Sequence, residues 1–323
     1  MKLAKTYGYL KKDLDAIETA LHTAIQAEHP VLRKASTQLL NAGGKRIRPV
    51  FVLLCGQMAD EHPDRLLTVA VSLELIHMAT LVHDDVVDDA ELRRGKPTIK
   101  YQYNNRVAMY TGDYILARAL EYITQLNQPD IHRLLSETLV EVCVGEIEQI
   151  KYKYNWNQQL RDYLRRIRRK TALLIATSCK LGALAGGTSQ QDARKLYQYG
   201  YYIGMSYQII DDILDFTSSE KVLGKPTASD LLQGNVTLPV LFAMKNKDFK
   251  EKLEQTLQKP EVINETEFTE LLSILHKTDA IEQSYQVSEQ YLNKALMSLQ
   301  GLPNKKAKRA LDSIARSIGD RRS

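Results

Sequence analysis

The sequence Asp84-Asp85-Val86-Val87-Asp88 and its counterpart Asp211-Asp212-Ile213-Leu214-Asp215 decide how this chain is interpreted. Each cluster lies in a stretch whose apolar residues recur every three or four positions, which is the spacing of a helix. Carboxylates one and four residues apart lie on or near one helix face. Because ionised carboxylates among apolar residues carry a large desolvation cost unless a cation offsets it, the repeated cluster predicts two facing metal platforms at helix ends.

Helical periodicity also dominates the remaining sequence. Pro30 and Pro63 stand where a proline opens a helix. The helix from Pro63 is predicted to end at Gly95-Lys96-Pro97, with the first acidic cluster near its C-terminal end. Further helices are predicted over 106–126, 131–151, 159–184, 191–216, 281–299 and 306–318. No sustained period-two stretch bounded by hairpin turns occurs, so no strands are needed. The pattern predicts an all-α fold.

The chain has few signs of a domain boundary. Its 323 residues include 9 prolines and 16 glycines, and no Ser/Gly-rich linker occurs. A cut between the two acidic clusters would also break a site that needs both. We therefore predict one domain over residues 1–323.

Charge and cysteine content limit the function classes. Lys+Arg 44 against Asp+Glu 39 gives a net charge of +5, too small to imply nucleic acid. Three cysteines without a CxxC pattern support neither disulfides nor zinc, and fit a cytoplasmic protein. No apolar run approaches about 18 residues, so no membrane span is predicted. The basic stretches 305–309 and 321–322 suit phosphates or anionic lipid and equally suit solvated exposure, so at most peripheral contact with a membrane is predicted.

Basic residues follow both acidic clusters. Arg93-Arg94-Gly95-Lys96-Pro97-Thr98 follows the first, and Gly224-Lys225-Pro226 follows the second. Mg²⁺ binds one or two protein carboxylates together with phosphate oxygens and water, and arginine binds phosphate in bidentate fashion. This order predicts a diphosphate ligand with Mg²⁺ as cofactor. The run from Arg165 to Lys170 suits the same anion, and equally suits a solvated helix face.

The order of motifs resembles that of the trans-isoprenyl diphosphate synthases. The matching elements are Gly43-Gly44-Lys45-Arg46-Ile47-Arg48-Pro49, His77, the first cluster through Thr98, Lys170-Thr171, and Gly204 through Asp215. The resemblance covers nearly the whole chain. It implies a single large all-α bundle of the isoprenoid synthase type with a central cleft.

The resemblance also implies a role for each matching residue. The metal ligands would be Asp84, Asp88 and Asp211, with Asp85, Asp212 and Asp215 acting directly or through water. Residues at positions for the allylic diphosphate are Arg93, Lys170, Thr171, Gln208 and Lys225. Residues at positions for isopentenyl diphosphate are Lys45, Arg48, His77 and Arg94. The implied enzyme cleaves the allylic C–O bond, and the isopentenyl double bond attacks the resulting carbocation; Lys170, Thr171 and Gln208 can steady that cation.

Product length is implied by Ala79 and Thr80, one turn before the first cluster. Small side chains there are consistent with a long product, and ordinary tight helix packing is the alternative. Gly234-Asn235-Val236-Thr237-Leu238-Pro239 has asparagine where many members have lysine, which places one phosphate contact in doubt. Both features resemble the catalytic subunit of bacterial heptaprenyl diphosphate synthases, which works with a dissimilar non-catalytic subunit. A heptaprenyl product for a menaquinone side chain is therefore expected.

Three alternatives stay open from the sequence. A class I terpene cyclase would carry one such acidic motif, but it would not need the Gly43–Arg48 segment. A non-catalytic regulatory subunit would tolerate degenerate aspartates, whereas both clusters are intact here. A homodimer is the alternative to a dimer with a dissimilar partner.

Overall fold

The computed structural model describes residues 8–59, 62–218, 227–257, 264–303 and 305–321. The helices in the first half are α1 (Lys11–Ala24), α2 (Pro30–Asn41), α3 (Ile47–Gly56), α4 (Pro63–Val87), α5 (Ile99–Gln102), α6 (Asn105–Ile123) and α7 (Pro129–Tyr152). Those in the second half are α8 (Leu160–Ile167), α9 (Leu173–Ala185), α10 (Gln190–Thr217), α11 (Ser229–Leu232), α12 (Leu238–Ala243), α13 (Lys247–Thr256), α14 (Glu265–Lys277), α15 (Ala280–Ser298) and α16 (Lys306–Gly319). The all-α prediction is confirmed.

Two local predictions are wrong, and one helix was not predicted. The helix that opens at Pro63 ends at Val87, and β1 (Leu92–Arg93) pairs antiparallel with β2 (Lys96–Pro97), so a short hairpin does occur. The helix predicted over 159–184 is interrupted by a π-helical segment, Arg168–Ala172. A helix that was not predicted, α3, follows the Gly43-Gly44 turn.

The chain divides into two compact units, and unit 1 comprises residues 1–136, 177–197 and 301–311. Its central element is α4, which packs most extensively against α6 and also against α3 and α1. Pro63 occupies the first turn of α4, and buried residues such as Leu66, Leu73 and Ile76 run along it. By length and composition α4 could cross a membrane, but 72% of its apolar window is buried, as in a core helix.

Unit 2 comprises residues 137–176, 198–300 and 312–323. Its apolar core includes Phe216, Val240, Phe249, Leu271 and Leu275. Helix α12 packs against α15, and α13 packs against α14. The second aspartate cluster lies in this unit. The single-domain interpretation of residues 1–323 stays a prediction.

Candidate active site

The first aspartate cluster lies at the C-terminal end of α4. The Asp88 N–H donates to the Asp84 carbonyl oxygen at 2.8 Å, one residue beyond the end of the helix at Val87. Asp84 and Asp88 are half-buried and one turn apart, so they share a face, whereas Asp85 is buried. The partial negative charge of a helix C-terminus favours a cation here.

Asp85 and Arg93 are bound to each other. Arg93 Nε donates to Asp85 Oδ1 at 2.6 Å. Burial raises the pKa of Asp85, and the charge of Arg93 opposes that rise. Asp85 was predicted to serve a metal ion and Arg93 a diphosphate. Both roles stay predictions, and each would require this ion pair to loosen.

His77 lies in the centre of a group of arginines on unit 1. Burial lowers the pKa of His77 well below its usual range, and the charges of Arg48, Arg94, Arg93 and Arg46 lower it further. The imidazole is therefore neutral near pH 7. The structure thus brings together three of the four residues predicted for isopentenyl diphosphate, namely His77, Arg48 and Arg94. Their combined positive charge favours an anion.

The fourth of these residues, Lys45, is exposed on the loop before α3. Its neighbour Arg46 has a left-handed φ of 46° and pairs with the buried Glu74, 3.0 Å from Nη1 to Oε1. Gly44 lies under Arg94, because a Cβ at Gly44 would sit 3.0 Å from Arg94 Nη1. This close approach fixes the Lys45 loop beside the arginine group.

A cavity of about 380 Å³ in unit 2 contains several of the residues predicted for the second metal platform and for the allylic diphosphate. It is lined by Gln149, Arg166, Ile167, Lys170, Gln208, Asp211, Asp212, Leu214, Asp230, Asn235, Thr237 and Arg321. The size falls within the range of small-molecule sites. The structure therefore places Lys170, Gln208, Asp211 and Asp212 around one cavity.

Asp212 accepts the last hydrogen bond in a series that runs from Thr171 through Gln208. Thr171 Oγ1 donates to Gln208 Oε1 at 2.6 Å, and Gln208 Nε2 donates to Asp212 Oδ1 at 2.8 Å. The Tyr163 hydroxyl donates to Asp212 Oδ2, also at 2.8 Å. Burial, followed by the charge of Asp230, raises the pKa of Asp212 to about 7. Both oxygens of Asp212 thus have protein partners.

The other two aspartates of this cluster differ in exposure. Asp215 is buried and accepts hydrogen bonds from the Ser229 hydroxyl at 3.0 Å and from the Asp230 N–H at 3.1 Å. It therefore holds the start of α11. Asp211 is half-buried, lines the cavity and forms an ion pair with Arg321, 3.0 Å from Oδ1 to Nη1.

The π-helical segment Arg168–Ala172 sets the direction of Lys170 and Thr171. Such single-turn insertions frequently occur at functional sites. Lys170 Nζ donates to Gln149 Oε1 at 2.8 Å. The segment packs closely on α10, because a Cβ at Gly204 would sit 2.5 Å from the Ala172 Cα. Only glycine allows the two backbones to approach this closely.

The arginines before Lys170 do not form an anion-binding patch. Arg165, Arg168 and Arg169 pair with the carboxylates of Glu141 and Glu148 on α7. Arg166 is buried, and it donates to Gln158 Oε1 at 2.9 Å and to the Val236 carbonyl oxygen. Within the described part of this run, Arg166, Ile167 and Lys170 line the cavity.

The remaining predicted residues are Ala79, Thr80 and Lys225. Ala79 is buried in α4, and the half-buried Thr80 donates its hydroxyl to the His77 carbonyl oxygen at 2.8 Å. The burial of Ala79 is expected for a wall that binds the prenyl tail, and it is also expected for tight helix packing. Lys225 lies outside the described residues.

Sequence reasoning gave no role to Tyr163, and it named Arg166 and Arg321 only as members of basic runs. The first two precede Lys170 by seven and four residues, so their helical spacing alone would have placed them on the face of Lys170. Arg321 had no such signal, because it lies more than a hundred residues after Asp211. Only the fold brings it to the cavity.

In each unit the half-buried carboxylates are donors of the kind that an open divalent metal site uses, rather than a closed one. Within residues 8–59, 62–218, 227–257, 264–303 and 305–321, no three His, Cys, Asp or Glu side chains are grouped as a metal site. Mg²⁺ typically uses one or two protein carboxylates and takes its other ligands from phosphate and water. Asp84 with Asp88, and Asp211, are half-buried oxygen donors of that kind.

The model of the polyprenyl synthetase family matches residues 29–275. The chain belongs to this family. Heptaprenyl diphosphate synthase component 2 of Bacillus subtilis (strain 168) is 57% identical over 322 residues, covering 100% of this chain and 92% of that protein. Membership confirms the predicted prenyl-transferring enzyme class and excludes the terpene cyclase alternative.

Two solved structures of polyprenyl synthetases confirm the fold. The heptaprenyl diphosphate synthase from Staphylococcus aureus superposes with a TM-score of 0.92 and 45% identity, covering 97% of this chain and 99% of that chain. A polyprenyl synthase from Caulobacter crescentus CB15, complexed with calcium and isoprenyl diphosphate, gives a TM-score of 0.93 at 27% identity, covering 99% and 98%. The predicted isoprenoid synthase fold is therefore confirmed.

Proposed function

We propose that this chain is the catalytic subunit of a Mg²⁺-dependent heptaprenyl diphosphate synthase. It extends an allylic diphosphate, with farnesyl diphosphate as the expected primer, by repeated addition of isopentenyl diphosphate. The observation that carries the proposal is the 57% identity over the whole chain to a heptaprenyl diphosphate synthase component 2. A quinone side-chain role and a cytoplasmic location accompany it as predictions.

Asp84 and Asp88 on α4, and Asp211 on α10, would hold Mg²⁺. When bound, Mg²⁺ neutralises negative charge on the diphosphate that leaves. The calcium and isoprenyl diphosphate bound by the Caulobacter crescentus relative support a divalent ion in the family. Asp85 and Asp212 already accept hydrogen bonds from Arg93 and Tyr163, so they would act through metal-bound water.

The remaining residues bind and orient the two substrates. Lys170 brings a positive charge to the unit 2 cavity for the phosphates of the allylic substrate. Gln208 holds Thr171, so that their oxygen dipoles are fixed for a developing carbocation. On unit 1, Arg48 and Arg94 supply charge for isopentenyl diphosphate, and neutral His77 supplies a hydrogen bond.

We expect Ala79 and Thr80 to influence the length of the product. A large side chain at either position would fill space that the growing tail needs. We therefore expect Ala79→Tyr and Thr80→Phe to shorten the product, as measured by chromatography of the dephosphorylated prenols. An unchanged length distribution in both variants would assign the small residues to helix packing.

A dissimilar partner subunit is part of the proposal. The Bacillus subtilis relative is named component 2, which supports a second component for this chain. A stripe on α7 offers a surface for it, because Val140, Val144, Ile147 and Ile150 are 63%, 40%, 68% and 50% exposed. Large apolar side chains at helical spacing on a surface are typical of an interaction site.

The test is a prenyl-transfer assay with labelled isopentenyl diphosphate, farnesyl diphosphate and Mg²⁺, with and without the other component of the Bacillus subtilis synthase. We expect heptaprenyl diphosphate when both are present, and none after chelation of divalent ions. Asp84→Asn and Asp211→Asn should abolish turnover while the helical fold is retained. The exposed Asp89, paired with Lys100, provides the matched control Asp89→Asn. Turnover in the Asp84 or Asp211 variant would refute the proposal.

A further inference from the structure

Arg321 is a cation in the unit 2 cavity for which the proposed function has no role. Its guanidinium lies 3.0 Å from Asp211 Oδ1 and 5.2 Å from the centroid of the Tyr207 ring. The Arg321 side chain is 20% exposed and that of Asp211 is 36% exposed. The guanidinium is therefore held between a carboxylate and an aromatic face, and part of it stays open to the cavity that it lines.

The formal charges of the cavity wall depend on Arg321. Three described acids line the cavity, namely Asp211, Asp212 and Asp230, and three described bases, namely Arg166, Lys170 and Arg321. Formal neutrality therefore needs all three bases. Without Arg321 the described wall would carry net negative charge, which repels a diphosphate.

The three bases differ in what holds them. Arg166 is buried and donates to the Gln158 side chain and to the Val236 carbonyl oxygen, so it is fixed in the protein framework. Lys170 donates to the neutral Gln149 side chain. Arg321 is paired with Asp211, a carboxylate proposed to hold a divalent ion. When Asp211 serves that ion, the Arg321 guanidinium becomes available to an anion in the same cavity.

We propose that Arg321 binds the diphosphate of the allylic substrate in this cavity. A guanidinium can hold two phosphate oxygens at once, and the contact with the Tyr207 ring adds a cation–π attraction to the guanidinium. The proposal rests on the proposed function, because it assumes a diphosphate in the unit 2 site. Asn235 lines the same cavity without a charge, so a lysine at that position would return positive charge to it.

The experiment is isothermal titration calorimetry of the full chain with inorganic pyrophosphate at a fixed Mg²⁺ concentration. We expect Arg321→Ala to weaken pyrophosphate binding roughly tenfold, the size of one lost charge-assisted hydrogen bond. Arg321→Lys should retain part of the affinity, and Arg321→Ala/Asn235→Lys should recover most of it. The control is Arg316→Ala, which removes an arginine that pairs with Asp312 on the surface.

In the prenyl-transfer assay, Arg321→Ala should raise KM for farnesyl diphosphate by a similar factor and change kcat much less. Circular dichroism should be unchanged in every variant. Equal pyrophosphate affinity of Arg321→Ala and wild type would overturn the inference. A loss that Asn235→Lys does not recover would also overturn it. Failure of wild type to bind pyrophosphate would instead contradict the proposed function.

Discussion

At the scale of single residues, the bond between Tyr163 and Asp212 connects packing to the site. Tyr163 is fully buried, and its hydroxyl is one of two donors to the Asp212 carboxylate. Tyr163→Phe removes that donor and leaves a buried oxygen without its partner, which costs about 1–3 kcal/mol. Prenyl transfer should also fall, because Asp212 holds Gln208 and through it Thr171.

Urea unfolding followed by circular dichroism measures the loss of stability of Tyr163→Phe, and the prenyl-transfer assay measures turnover. Tyr114→Phe is the control, since its hydroxyl donates to the Gln26 carbonyl oxygen at an exposed position. That change should stay within about 0.5 kcal/mol. If Tyr163→Phe matched this control in stability and turnover, Tyr163 would have no positioning role.

The depressed pKa of His77 has a consequence for stability. The unfolded chain takes up a proton near pH 6.5, whereas the folded chain keeps His77 neutral there because of burial and the nearby arginines. Below pH 6.5 the unfolded state therefore binds more protons, and folding loses stability as pH falls. Between pH 6.5 and 5.5 this loss amounts to about 1 kcal/mol.

The measurement is the unfolding free energy of wild type and of His77→Gln at pH 7.5, 6.5 and 5.5. Between pH 6.5 and 5.5, the unfolding free energy of the variant should fall by about 1 kcal/mol less than that of wild type. His22→Gln is the control, because His22 is exposed on α1. If the unfolding free energies of wild type and His77→Gln changed with pH in parallel, the pKa of His77 would be the same in the folded and unfolded states.

At the scale of secondary-structure elements, sequence reasoning located the long helices and missed the local irregularities. Proline at the first turn and apolar periodicity mark α2 and α4 locally, so their starts were predicted. The β1–β2 hairpin was missed because its strands have two residues each. Its turn depends on left-handed Arg94 and Gly95, with φ of 54° and 74°. The π-helical segment leaves no periodic signal and follows from packing against glycine.

The same limit applies to the candidate site. The aspartates and Lys170 were recognised because their motifs are local in sequence. Arg321 was recognised only as part of a basic stretch, and its pairing with Asp211 could not be predicted, since it reaches Asp211 only through the fold. The exposure of Asp211 against the burial of Asp212 and Asp215 was likewise unpredictable, because all three lie on one helix end and only tertiary packing distinguishes them.

Gly204→Ala tests the close contact between α10 and the π-helical segment. In an isolated helix this change would stabilise by up to about 1 kcal/mol. Here the new Cβ would lie 2.5 Å from the Ala172 Cα, so the backbones must separate. We expect a net loss of about 1–3 kcal/mol from overpacking, and reduced turnover as Thr171 moves from Gln208.

Denaturant unfolding and the prenyl-transfer assay provide both readouts for Gly204→Ala. Gly8→Ala is the matched control, because a Cβ at Gly8 meets nothing within 4 Å. Stabilisation by Gly204→Ala would mean that the two elements can separate without cost, and the account of the π-helical segment would then be wrong.

At the scale of the whole molecule, activity is expected to depend on the exposed α7 stripe of Val140, Val144, Ile147 and Ile150. Ile147 is the most exposed of the four at 68%, so Ile147→Lys should leave the fold intact while placing a charge in the proposed interface. With the second component of the Bacillus subtilis synthase, we expect the variant to need at least about tenfold more partner for half-maximal prenyl transfer, which corresponds to roughly 1.4 kcal/mol.

Met297→Lys is the control, because Met297 is 63% exposed on α15, outside the stripe. Wild-type partner dependence of Ile147→Lys would exclude this stripe as the docking surface, and full activity of the chain alone would exclude an obligatory partner.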